Sequence, residues 1–392
     1  MALVTYVLGD CRKCGAKDSF GNVEVFKTYI YLGCKHCRYS ERVELPPLKK
    51  KILYLDQFFF SHAFRGGDSR FLEAASRISR VASLQLLAVP FSSIHEDETH
   101  QWAKHKELLE FIKRTSRGNE FAPSYEVIET QLLKAFQLWL VGGTAQYELD
   151  QGDVLHEDIH VWDSYLYIDV GKYMGDIDLI RDLKRQSVEG LVNLFDVWHK
   201  SRTSFEEDLD AEYAVAGKTY IDFYLEYVTR IGRGDYDALL DSPVISMVVQ
   251  SMLYAIPKDV PVDQKLRKCV DFLMSEHFKQ VPYQRLSALL FATMKAVVKG
   301  GAYSNRERAK QRLSGFYYDV KHIATYAPYV DGFIMDQPMA DLVSKPSVAL
   351  EQNYGTKVFS LNNWDELYEW LDTLEAGMSV EHKSGLVAAY KR

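Results

Sequence analysis

The sequence predicts an α/β protein in which helices flank a parallel sheet and a small β domain comes first. Three observations support this class. Short apolar runs alternate with helical patterns from residue 51 onward, two close pairs of cysteines lie near the N-terminus, and several apolar runs end in an acidic side chain.

The composition is that of an ordinary globular chain. The 392 residues are 47% hydrophobic and 26% charged, and no apolar run approaches the roughly 20 residues of a membrane-spanning helix. The first residues lack the basic and apolar pattern of a signal peptide, so we expect a cytoplasmic protein without membrane contact. A net charge of -7 argues against coating of nucleic acid over the whole surface, although it leaves room for local basic patches.

Four of the five cysteines form two Cys-x-x-Cys pairs, and nineteen residues separate the pairs. The residues between and after the pairs alternate between polar and apolar and predict β-strands. Two such pairs on β-hairpins are typical of a zinc ribbon, in which four thiolates surround a tetrahedral Zn²⁺. The predicted zinc ligands are Cys11, Cys14, Cys34 and Cys37.

The α/β region begins with an apolar run at residues 52–55, and a second run follows at 86–91. Ser92 or Ser93 is then suited to cap a helix. Strand patterns return only at 332–335 and 357–361, after a long region with helical patterns. We therefore expect one α/β domain that is split by a helical insertion. The predicted segments are 1–48 for the ribbon, 49–100 and 312–376 for the two parts of the α/β domain, 101–311 for the insertion and 377–392 for a flexible tail.

Four acidic residues stand at the strand ends or on the helices beside them. Parallel strands end at a common edge of the sheet, so these side chains can meet there. Converging carboxylates are costly to bury unless a cation neutralises them, and oxygen ligands suit Mg²⁺ or Mn²⁺. The predicted site consists of Asp56, Glu98, Asp319 and Asp336, with Asp331 as an additional ligand.

Two alternatives remain at this point. Asp56 and Asp336 each follow a strand and precede a helix, so each can serve as a helix N-cap instead of a metal ligand. On the helix after the second strand, Glu96 and Asp97 compete with Glu98. We prefer Glu98 because it lies three residues after His95 and therefore shares its helix face.

The order of the acids, with a strand ending in Asp56, a helix carrying Glu98, a helix carrying Asp319 and a strand ending in Asp336, resembles the PIN-domain nuclease superfamily. The resemblance covers about residues 51–100 and 312–375. It implies a PIN-like sheet and metal-dependent cutting of phosphodiester bonds, usually in RNA, by these four acids. The chain differs from the family in three ways: Phe58 stands where many relatives have a small polar residue, Ile334 stands where Thr or Ser is common, and the insertion is long.

Two basic clusters are candidates for contacts with phosphate. One is in the linker after the ribbon, and the other directly precedes Asp319; both suit a phosphate backbone, but the second can equally be an exposed helix face. The candidate residues are Lys49, Lys50, Lys51, Arg306, Arg308 and Arg312.

We thus expect an endonuclease that acts on RNA, with a structural Zn²⁺ and a catalytic Mg²⁺ or Mn²⁺. The ribbon or the insertion can also bind a protein partner, and a homodimer is compatible with the sequence. Two other functions remain open, namely an inactive interaction scaffold and a structure-specific DNA nuclease.

Overall fold

The computed structural model describes residues 2–163, 177–239 and 244–391. The strands are β1 (Tyr6–Gly9), β2 (Phe20–Val25), β3 (Tyr29–Cys34), β4 (Ser40–Glu44), β5 (Lys51–Leu55), β6 (Leu87–Ala88), β7 (Gly332–Ile334) and β8 (Lys357–Phe359). The α-helices are α1 (Gln57–Arg65), α2 (Ser69–Ser83), α3 (Ser93–Thr99), α4 (His105–Ser116), α5 (Ser124–Leu140), α6 (Ile177–Trp198), α7 (Phe205–Gly232), α8 (Val244–Ala255), α9 (Val262–Leu273), α10 (Glu276–Gln280), α11 (Pro282–Lys299), α12 (Arg306–Arg312), α13 (Phe316–Tyr326), α14 (Gln337–Val343), α15 (Leu350–Tyr354), α16 (Trp364–Ala376) and α17 (Val380–Tyr390).

The predicted mixed α/β class with a parallel sheet is confirmed. Four parallel strands form a sheet in the order β6-β5-β7-β8. Successive side chains point to opposite faces, so Tyr54 and Phe333 enter one buried cluster while Leu53 and Ile334 enter another. Burial on both faces explains why these strands are apolar throughout instead of alternating.

Helices cover both faces of this sheet. On one side lie α1, α2, α4 and α16, and on the other lie α5, α11, α13 and α14. Helix α6, from the predicted insertion, also adds Leu191 and Phe195 to the cluster that contains Tyr54. A further cluster joins α5 to α7, α8, α9 and α10. The helical region is therefore continuous with the core of the sheet. No helix among the described residues has the length and apolarity to cross a membrane.

The N-terminal β domain is an antiparallel sheet in the order β1-β2-β3-β4. Helix α17, which lies within the segment predicted as a flexible tail (377–392), packs against this sheet. The Asn22 side chain donates a hydrogen bond of 2.9 Å to the carbonyl of Ala389, and the hydroxyl of Tyr390 donates one of 2.8 Å to the carbonyl of Asp163. The small residues of α17 allow this close contact, and they give no clear amphipathic pattern in the sequence.

Gly385 marks the closest approach of α17 to the rest of the protein. A Cβ atom built there would lie 2.6 Å from the ring of the buried Trp162, whose indole N–H donates to the carbonyl of Pro46. The glycine is therefore needed for space.

We predict that Gly385→Ala lowers the free energy of unfolding by about 1–3 kcal/mol, because the new methyl group overpacks this contact. Gly190→Ala in α6 is the matched control, since nothing lies within 4 Å of a Cβ atom at that position. The control should gain about 0.5–1 kcal/mol from helix propensity. Urea unfolding of both variants measures the difference, and equal gains would show that α17 is not docked.

Candidate metal centres

The four N-terminal cysteines form one compact cluster. The Sγ atoms of Cys11 and Cys37 are 3.7 Å apart, as are those of Cys14 and Cys34. A tetrahedral zinc ion with bonds of about 2.3 Å requires sulfur atoms about 3.8 Å apart. The cluster therefore has the dimensions of a Cys₄ zinc site.

Two turns position these thiols. Gly15 adopts a φ of +71° and its amide donates to the carbonyl of Cys11, which closes the first turn. In the second turn, the amide of His36 donates to the Sγ atom of Cys34 at 3.3 Å. Burial favours the neutral thiol of Cys34, but hydrogen bonds from Ser19 and His36 outweigh it and lower its pKa to about 6. At Cys34 the thiolate, which is the form that binds metal, is thereby favoured.

The second centre is built around two strand ends. Asp56 follows β5, Asp336 lies just beyond β7, and these strands are neighbours. Each aspartate also caps a helix: Oδ1 of Asp56 accepts from the amide of Gln57 at 2.7 Å, and Oδ1 of Asp336 accepts from the amide of Met339 at 2.9 Å. The two sequence interpretations are thus compatible, because capping uses one carboxylate oxygen of each aspartate.

Glu98 and His322 come to Asp56 from two different helices. His322 lies on α13, and its Nε2 atom is 3.3 Å from Oε2 of the buried Glu98 on α3. One ligand atom from each of Asp56, Glu98 and His322 lies within 4.8 Å of the others. This trio can hold a metal ion.

The neighbours of Glu98 on α3 face other groups. Oε1 of Glu96 lies 3.3 Å from the ammonium of Lys113. The charge of Asp97 acts on Lys321, where it opposes the lowering of the lysine pKa by burial. Among the three acids that the sequence left open, Glu98 is the one beside Asp56.

Asp319 lies one helical turn before His322. A Cβ atom built on Gly315 would be 3.1 Å from its Oδ2 atom, so the glycine leaves room for this carboxylate. Burial raises the pKa of Asp319, and the charges of Asp336 and Glu98 raise it further.

The acids of this centre carry more negative charge than the protein around them compensates. Burial raises the pKa of Asp56 well above its usual value, and the charges of Asp319, Glu98 and Asp336 add to this effect. Burial likewise raises the pKa of Asp336. Glu98 differs: burial opposes its ionisation, but His322 and Lys184 lower its pKa. A divalent cation would relieve the remaining repulsion.

Lys184 brings a positive charge from α6 to this centre. Its Nζ atom lies 3.4 Å from Oε1 of Glu98 and 5.0 Å from the ring centre of Tyr318. Nothing in the sequence pattern connects a lysine of the helical region with Glu98, and its role was not foreseen.

An open cavity of about 520 Å³ borders the acids. Asp319 and Asp336 line it together with Arg312, Lys345 and Tyr303. Acidic and basic side chains therefore face the same open cavity, which suits a substrate that carries both an electrophilic centre and negative charge.

Several other predicted site residues lie elsewhere. Asp331 directly precedes β7 and so lies at the amino end of this strand, whereas Asp336 lies beyond its carboxyl end. Five residues of extended chain separate the two by roughly 16 Å. Its carboxylate binds Lys51 at 2.6 Å and the amide of Ile52 at 2.9 Å. Asp331 therefore fixes the start of β5 and is not beside the metal centre.

The predicted basic clusters are also divided. Lys50 is buried and forms a salt bridge of 2.7 Å with Asp163, and Lys51 forms one with Asp331. Of the three lysines in the linker, Lys49 is the exposed one. In the second cluster, Arg306 binds Asn193 on α6. Arg308 is exposed, and of the three arginines Arg312 is the one that lines the cavity.

We predict that the purified protein contains about one zinc ion per chain and that Cys34→Ala removes it, because three thiolates bind Zn²⁺ far less tightly than four. Cys269→Ala, at a buried cysteine between helices, is the matched control and should keep the zinc. Elemental analysis by mass spectrometry measures both. Retention of zinc by the Cys34 variant would contradict the assignment.

We predict that Asp319→Asn raises the free energy of unfolding of the protein by about 1 kcal/mol at pH 8 when no cation is bound at the acidic site. The raised pKa means that the folded state holds a proton that the unfolded state releases, so stability is lost as pH rises from about 4 through the raised pKa. Asparagine removes this penalty, and the gain should vanish near pH 3, where both states are protonated. Urea unfolding of zinc-loaded protein tests this, with the exposed Asp259→Asn as a control that should change nothing.

Comparison of the chain with protein-family models, with curated proteins and with solved structures gave no match.

Proposed function

We propose that this protein is a metal-dependent endonuclease that hydrolyses phosphodiester bonds, with RNA as the favoured substrate. The observation that carries the proposal is the meeting of Asp56, Glu98 and His322 in one metal-sized cluster, next to two further acids that line an open cavity. A cluster of acidic side chains beside a cavity that arginine and lysine also line suits the cutting of a phosphodiester backbone.

Each part of the site has a role in this reaction. Asp56, Glu98 and His322 would hold the cation. A divalent ion in such a site lowers the pKa of a bound water and stabilises charge on the leaving oxygen. Asp319 has no hydrogen-bond donor among the described residues, and a cation that offsets the charges of Asp336 and Glu98 would leave it ionised, so that it can accept a proton from the attacking water.

The cavity offers cations for the substrate backbone. Arg312 and Lys345 are exposed beside Asp336, where they would bind the phosphates on either side of the bond that is cut. Their placement supports a polymeric substrate, because more than one phosphate can be bound at once.

The resemblance to PIN-like nucleases supports RNA. The acids follow that family's order, and Asp56 and Asp336 end adjacent parallel strands. The ribbon provides a second surface for nucleic acid. There, Phe26 and Tyr29 are stacked with ring centres 4.5 Å apart, and Arg42 lies 3.9 Å from the Tyr29 ring centre. Aromatic rings with adjacent arginine are suited to stacking with unpaired bases.

The test is an incubation of purified, zinc-loaded protein with labelled single-stranded RNA, single-stranded DNA and duplexes in Mn²⁺, in Mg²⁺ or without either ion. We expect metal-dependent cutting of RNA within the strand. Glu98→Gln should reduce the rate by at least about 100-fold, because it removes a ligand charge. Glu96→Gln, two residues away on the same helix, should leave the rate within about twofold.

The outcomes separate the alternatives. Preference for DNA duplexes or junctions would indicate a structure-specific DNA nuclease. If no substrate is cut with either metal, the endonuclease is excluded. Equal losses in the two glutamate variants would also contradict the site, since Glu96 pairs with Lys113 and does not face Asp56.

A further inference from the structure

His322 is the member nearest the candidate metal centre in a chain of hydrogen-bonded side chains. Its Nδ1 atom lies 2.6 Å from the hydroxyl of Tyr54, which lies 2.6 Å from the hydroxyl of Ser92. Ser92 Oγ is 3.3 Å from Nδ1 of His95, and Nε2 of His95 is 2.8 Å from the carbonyl of Leu55. All four side chains are fully buried.

The last contact of the chain fixes the state of His95. A carbonyl oxygen only accepts, so Nε2 of His95 carries its proton and donates to Leu55. The Nδ1 atom of His95 is consequently an acceptor. It can receive a hydrogen bond from the amide of Ser92 at 3.0 Å or from the Ser92 hydroxyl.

The two hydroxyls allow the remaining bonds to run in either direction, because each can donate or accept. In one direction, Ser92 donates to Tyr54, Tyr54 donates to Nδ1 of His322, and Nε2–H of His322 donates to Glu98. In the other, Nδ1–H of His322 donates to Tyr54, Tyr54 donates to Ser92, and Ser92 donates to His95. In the second direction the lone pair of Nε2 of His322 and the Oε2 atom of Glu98 face each other at 3.3 Å with no proton between them, an arrangement that suits a bound cation.

We propose that Nε2 of His322 is a direct ligand of the catalytic metal, that Tyr54 and Ser92 hold the tautomer this requires, and that the site therefore selects Mn²⁺ over Mg²⁺. The inference rests on the metal site of the proposed function. In the metal-bound protein the chain runs in its second direction, with the proton of His322 on Nδ1 and the lone pair of Nε2 on the ion. Both directions contain the same number of protons, so the net charge of the chain is the same in each.

The metal preference follows from the ligand types. Mg²⁺ favours oxygen ligands and near-ideal octahedral geometry, and it gives up its waters reluctantly. First-row transition ions accept imidazole nitrogen more readily. A trio of two carboxylates and one imidazole, in which the hydroxyl of Tyr54 holds the histidine ring, therefore favours Mn²⁺ over Mg²⁺.

The test measures metal binding directly, without reference to cutting. Zinc-loaded protein is titrated with Mn²⁺ or Mg²⁺ by calorimetry, and the Mn²⁺ complex is examined by electron spin echo spectroscopy, which detects nitrogen bound to the ion. We expect Mn²⁺ to bind at least tenfold more tightly than Mg²⁺, with a nitrogen coupling in the echo spectrum.

Three variants separate the ligand from its supports. His322→Asn keeps a polar group near the position of Nδ1 but deletes Nε2, so the nitrogen coupling should disappear and the preference for Mn²⁺ should shrink. Tyr54→Phe should weaken Mn²⁺ binding by about 10- to 100-fold, because Nδ1–H loses its acceptor. Tyr220→Phe is the control: it removes another buried hydroxyl, which accepts from Gln284 in the helical region, and should leave Mn²⁺ binding unchanged.

A wild-type Mn²⁺ complex without nitrogen coupling would overturn the inference, even if the protein cuts RNA. Nitrogen coupling that is lost in His322→Asn supports it, even if no nucleic acid is cut. If His322→Asn does not fold, the wild-type spectrum still decides whether a nitrogen is bound to the ion. Equal Mn²⁺ affinities of the Tyr54 and Tyr220 variants would overturn the role of the hydroxyl chain.

Discussion

Two carboxylates are held next to each other because β5 and β7 pair in parallel and Asp56 and Asp336 lie at their carboxyl ends. The charge of Asp336 raises the pKa of Asp56, and burial of the two like charges opposes folding. Helices α3 and α13 bring Glu98 and His322 to these acids as candidate ligands, and α6 brings the ammonium of Lys184. Repulsion among the buried carboxylates therefore destabilises the folded protein, and a bound cation would reduce that repulsion. The rest of the sheet and its helices keep the acids in place.

The sequence predicts the features that depend on local pattern. Strands buried on both faces are apolar throughout, so β5 and β7 could be recognised, and an acid directly after such a strand indicates the sheet edge. The cysteine pairs fix their own geometry through short turns, and their arrangement in one cluster was accordingly foreseen. Helical periodicity places Glu98 on the same face as His95, although the contact with His322 was beyond its reach.

The features that depend on distant partners could not be predicted in this way. The sequence predicts that lysines in a linker are exposed and can bind phosphate. Lys50 instead forms a salt bridge with Asp163 and Lys51 forms one with Asp331, so both stabilise the fold. Lys184 reaches the acidic centre only through the packing of α6. Helix α17 has too many small residues to show a clear apolar side, and its docking depends on the space that Gly385 leaves beside Trp162.

The pairing of β5 with β7 has a consequence for how the protein is made. Ile52 and Asp331, which are hydrogen-bonded across these strands, are 279 residues apart in the chain. Contacts of such long range form late, and a ribosome delivers the N-terminal partner well before the C-terminal one. The growing polypeptide thus carries Asp56 and Glu98 without the residues that complete their site. The candidate metal site therefore cannot form until synthesis of the chain is nearly finished.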